Sequence, residues 1–82
     1  MLPASPTPAG TRVEGDRTVL AWRPVEGATA YAVYRADPVA KRANLVGTVR
    51  ASDLPTWVGP SGSFCVTTLD RANNESDPVL IS

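Results

Sequence analysis

"EGATAYAVYRA" (residues 26–36) decides the fold. Four of its eleven residues are alanine, the strongest helix former, so propensity alone favours a helix. The flanks argue otherwise. Pro24 and Gly27 lie at the front and Pro38 at the back, which leaves too short a stretch for a helix to hold unaided. Tyr31, Val33 and Tyr34 are strand formers, and valine and threonine dominate downstream. Residues 30–36 are therefore expected to be extended. The best helical candidate is "DPVAKRAN" (37–44), where Asp37 can cap and Pro38 suits the first helical position. One or two turns inside a loop are the most it predicts.

Working outward, short apolar runs alternate with turn chemistry on both sides. "TVLAW" (18–22) follows the turn signal "EGD" (14–16), and a weaker run (11–13) precedes it. Downstream come "NLVGTV" (44–49), "TWVG" (56–59), "SFCVTTLD" (63–70) and "PVLIS" (78–82). About seven short strands at this spacing predict an all-β, two-sheet antiparallel sandwich. Alternation assigns the faces: Leu20 and Trp22, Tyr31 and Val33, and Phe64, Val66 and Thr68 should point into the core. Trp22 is the expected centrepiece, large enough to span sheets about 10 Å apart. Cys65, Thr67 and Leu69 should form a weakly polar face that meets water.

Eighty-two residues suffice for one domain. Eight basic and eight acidic side chains cancel, and no basic run exceeds the pair Lys41-Arg42. Such a charge pattern offers no field for phosphates or anionic lipid, which argues against nucleic acid and membrane partners. No apolar stretch approaches membrane-spanning length, so membrane insertion is not expected. The single cysteine cannot form an internal disulfide. "LPASPTPAG" (2–10) reads as a proline-rich spacer behind an added start methionine. The expected division is a linker at 1–10 and a domain at 11–82.

"VLAWRPVEGATAYAVYR" (19–35) resembles the second and third strands of fibronectin type III domains, with a tryptophan shortly before a proline and then a Tyr-x-Val-Tyr-Arg strand. "FCVTTLDRANNESDP" (64–78) is similar to their sixth strand, the loop after it and the start of the seventh. The likeness covers nearly all of 11–82 and is weak at 50–62. It further resembles the domains appended to glycosyl-hydrolase-like barrels in secreted bacterial proteins. The resemblance implies a non-catalytic accessory module of a larger secreted or cell-surface bacterial protein, spacing or docking neighbouring domains. One departure is Gly62, which stands where many such sandwiches carry a tyrosine that pins the corner. Trp57 is expected to pack across the resulting gap.

"LDRANNES" (69–76) clusters polar side chains between apolar runs. Asp70, Glu75 and Asp77 could hold a hard cation, but their spacing does not fit a calcium loop. A turn explains the segment better, since asparagine tolerates the left-handed backbone that Asn73 or Asn74 would adopt. With no histidine, histidine-assisted nucleophiles and histidine metal sites are excluded. Cys65 lacks a base and reads as a packing residue. No catalytic residue, metal ligand or cofactor is expected. The candidate ligand contacts are Tyr34, which falls out of phase with Tyr31 and Val33, together with Trp57, Arg23 and Arg71. A polysaccharide or protein partner is the alternative role, met by an exposed sheet face or by the 71–77 loop. The loops at 23–29 and 71–77 should share one end of the sandwich by analogy with the resembled domains.

Overall fold

The computed structural model describes residues 2–37 and 42–81. Among them the chain forms β1 (Thr7–Glu14), β2 (Arg17–Arg23), β3 (Ala28–Asp37), β4 (Arg42–Arg50), β5 (Thr56–Pro60), β6 (Phe64–Asp70) and β7 (Val79–Ile81). Two antiparallel sheets result, in the orders β1-β2-β5 and β4-β3-β6-β7. The alanine-rich segment is β3, hydrogen-bonded to β4 on one edge and β6 on the other. Helix propensity differs among ordinary residues by at most about 0.7 kcal/mol each. Burying Tyr31 and Val33 outweighs that, at about 1.5–3 kcal/mol for a large apolar side chain.

Leu20, Trp22, Tyr31, Val33, Phe64, Val66 and Ile81 form the core between the sheets. Trp22 and Tyr31 meet edge to face at 5.4 Å between ring centres. The Tyr31 hydroxyl also accepts a hydrogen bond from the Val25 N–H at 2.9 Å, which fastens the β2–β3 turn to the core. Trp57 reaches from β5 across to the other sheet and meets Phe64 edge to face at 4.9 Å. Its indole lies over Gly47 of β4, where a Cβ would fall 2.5 Å from Nε1. At the corner, the Arg35 guanidinium covers the Phe64 ring at 5.4 Å beside Gly62.

Three expectations change. The stretch 1–10 is not all spacer: β1 begins at Thr7, and Pro6 is fully buried. Proline is tolerated there because β1 pairs with β2 alone, so a missing N–H can face outward, and a bulge between Pro8 and Gly10 absorbs the irregularity. The Ser5 hydroxyl then donates to the Asp77 carbonyl at 3.0 Å, tying the start of β1 to the approach to β7. Second, Thr67 does not meet water. It is 3% exposed on the outer face, because Glu75 lies against it. Third, the helical turn expected at 37–44 is not seen where the chain is described: Asp37 ends β3, Arg42 begins β4, and 38–41 lie outside the described residues.

Candidate functional site

The outer face of the four-stranded sheet carries a row of paired side chains. The bulge in the β3–β4 pairing puts Tyr34 opposite Leu45 rather than Val46. Tyr34 also pairs with Cys65, and Cys65 with Leu80. Paired residues point to the same side, so Leu45, Tyr34, Cys65 and Leu80 form one apolar row across all four strands. Leu45 and Leu80 are exposed; Tyr34 and Cys65 are half-buried.

Beside this row lies a shallow, open depression of about 240 Å³ lined by Tyr34, Thr67, Glu75, Ser76 and Pro78. Glu75 is its polar centre. An isolated bridge to Leu69 sets the Glu75 backbone next to β6. Its Oε2 accepts from the Tyr34 hydroxyl at 2.5 Å and from the Thr67 hydroxyl at 2.6 Å. Below it the Ser76 hydroxyl accepts from the Thr68 N–H at 2.8 Å and donates to the Asp77 carbonyl at 3.0 Å. The Tyr34 hydroxyl is held above its ordinary pKa of 10.0, chiefly by the hydrogen bond it gives to Glu75, then by burial and by the Glu75 charge.

The turn after β6 organises itself separately. Asp70 Oδ1 accepts from the Ala72 and Asn74 N–H groups, both at 2.9 Å, and Oδ2 accepts from the Asn74 amide at 3.2 Å. These donors, Asn74 first, hold the Asp70 carboxyl below its ordinary pKa. Asn73 takes the left-handed conformation, with φ 63°. Asp70 faces its own turn and Glu75 faces Tyr34 and Thr67, so the acids of "LDRANNES" do not converge. Among the described residues no three potential metal ligands gather. Cys65 has its thiol pushed up by burial, away from the reactive thiolate.

The four candidate contacts are not brought together. Tyr34 faces the depression, Trp57 is wedged between the sheets, and Arg23 and Arg71 are exposed at the loop end. The loops at 23–29 and 71–77 lie at the same end of the four-stranded sheet: Thr29, at the start of β3, donates its hydroxyl to the Leu69 and Asp70 carbonyls at the end of β6, both at 3.2 Å. Thr67, Ser76 and Pro78, which line the depression with Tyr34, were not among the candidate contacts, and Glu75 was weighed as a cation ligand and as part of a turn.

No protein-family model matches this sequence, and no curated protein matches it. Solved structures are similar to it. A Fn3-like protein from Clostridium thermocellum superposes with a TM-score of 0.75 at 16% identity, over 100% of this chain and 94% of that one. The chain has the fibronectin type III fold. The protein FN3tt is similar too, with a TM-score of 0.68 and 17% identity over 95% of this chain and 91% of its own. A β-1,2-glucanase from Parabacteroides distasonis contains the same fold, with a TM-score of 0.77 and 20% identity over 99% of this chain. This chain spans 13% of that glucanase chain.

Proposed function

We propose that this fibronectin type III fold serves as a non-catalytic accessory module in a larger secreted or cell-surface bacterial protein, one that acts on polysaccharide, and that it spaces or docks a neighbouring module. The observation that carries the reading is the Ser5–Asp77 link. It sets the start of β1 beside the start of β7, so the two strands run in the same direction and the chain enters and leaves at opposite poles. A stiff body with a longest dimension of 36 Å then separates whatever flanks it. The likeness to a segment of a glucanase chain supports the polysaccharide setting. The test is deletion of the domain from its parent protein, read by small-angle scattering and by turnover of soluble substrate. A shorter maximum dimension with turnover retained supports the reading. An unchanged dimension, or hydrolysis by the isolated domain, sinks it.

A second reading is favoured by the depression at Tyr34. There the outer sheet face takes up a ligand weakly, with Tyr34 as its aromatic wall.

A further inference from the structure

The donor and acceptor inventory of that depression narrows what it can hold. All of its side-chain hydroxyl protons are already donated within the protein: Tyr34 and Thr67 give theirs to Glu75, and Ser76 gives its own to the Asp77 carbonyl. Pro78 has no N–H to offer. The side chains are left with lone pairs, one carboxylate and one aromatic ring. Glu75 forms no ion pair among the described residues. An anion finds no side-chain donor here. A neutral sugar hydroxyl can donate to Glu75, yet no side-chain proton remains for its own oxygen. The complementary ligand is a donor-only cation, which among side chains means guanidinium or ammonium.

We propose that the Tyr34–Glu75 depression binds an arginine or lysine side chain of a partner protein, presented on an extended segment. The carboxylate takes the charge-assisted hydrogen bonds, and the Tyr34 ring forms the adjacent wall of the depression. Leu45, Cys65 and Leu80 continue the surface as an apolar strip, suited to an aliphatic stem and to apolar neighbours in the segment. The charge complementarity and the strip together select a basic peptide over a polysaccharide. This inference rests on the second reading of the outer face and supplies its ligand.

The experiment is a titration of the 82-residue chain, followed by amide chemical shifts, with acetyl-Leu-Arg-Leu-amide and acetyl-Leu-Lys-Leu-amide. Both should move the signals of Tyr34, Thr67, Glu75 and Ser76 saturably, and less so as salt is raised. Glu75→Gln should weaken binding about tenfold, in line with loss of a hydrogen bond to a charged group. Because Glu75→Gln also alters a structural hydrogen bond, Leu80→Lys is the second variant. It leaves the Tyr34–Glu75–Thr67 network intact and repels a cation from the rim, so it should weaken both peptides as well. Equal binding of acetyl-Leu-Gln-Leu-amide, or full affinity in both variants, overturns the proposal. If a β-1,2-linked gluco-oligosaccharide moves these signals instead, the face binds but the ligand class is wrong. If no probe moves them, the binding reading falls with the proposal, while the spacer reading stands or falls on scattering alone.

Discussion

Trp57 and Gly47 form a ring-on-backbone contact between the two sheets: the indole of one occupies the space where the other would carry a side chain. Gly59, two residues along β5, is covered by the same ring even more closely. Alanine at either glycine must displace the indole from Phe64. Gly47→Ala and Gly59→Ala should each cost about 1–3 kcal/mol, the usual range for overpacking, with Gly59→Ala the more severe. Urea unfolding of the two variants checks this, and wild-type stability in both would mean the ring moves aside freely.

Tyr31 contributes through its oxygen as well as its ring. Tyr31→Phe keeps the edge-to-face contact with Trp22 but leaves the Val25 N–H without its acceptor. A loss of about 1–3 kcal/mol is expected, the cost of stranding a donor that water reaches poorly. If denaturant midpoints coincide, water replaces the hydroxyl at no cost.

Asn73 separates backbone need from side-chain need. At φ 63°, glycine fits as well as asparagine, so Asn73→Gly should stay within about 0.5 kcal/mol of wild type. Asn73→Val should cost about 1–2 kcal/mol, since a branched side chain is strained in the left-handed region. A large loss in the glycine variant would reveal a specific partner for the amide.

Much of this architecture was legible in advance, for identifiable reasons. Pro24, Gly27 and Pro38 bracket β3 too tightly for a helix, and strict alternation marks the inward set from Leu20 to Val66. Asparagine at 73 advertises the left-handed turn. Two things were hidden. The composition of 2–10 looks like spacer because proline and glycine are poor strand residues, and only an unpaired edge makes them acceptable in β1. Glu75 gave no local signal, since its partner Tyr34 is 41 positions away and the segment between Asp70 and Pro78 has no period. Pairing across a sheet creates such a site, and no single stretch contains it.

Asp70 predicts a pH dependence. Its folded pKa lies below the ordinary 3.8, so the folded state holds the proton less tightly than the unfolded chain. The stability it adds is therefore fully present above about pH 4–5 and disappears as pH falls through the lower, folded value. Asp70→Asn should flatten the acid limb of a stability–pH curve while changing little of its shape above about pH 6. An acid limb identical to wild type would show that the turn does not bind the carboxylate preferentially.

Cys65 should react slowly with a disulfide reagent in the native state. Burial raises its thiol above the ordinary 9.0, so little thiolate exists at neutral pH, and the rate should climb only in more alkaline buffer. Labelling at neutral pH as fast as in the unfolded chain would contradict the burial.

The hydrogen bond from Ser5 to Asp77 has a mechanical corollary. With first and last strands running parallel, the chain enters at one pole and leaves at the other, so a pull along it loads β1 against β2 and β7 against β6 along their lengths. Their cross-links must then slide and rupture together, rather than opening in succession like a zipper. A domain strung this way is loaded in shear and not peeled from a single end.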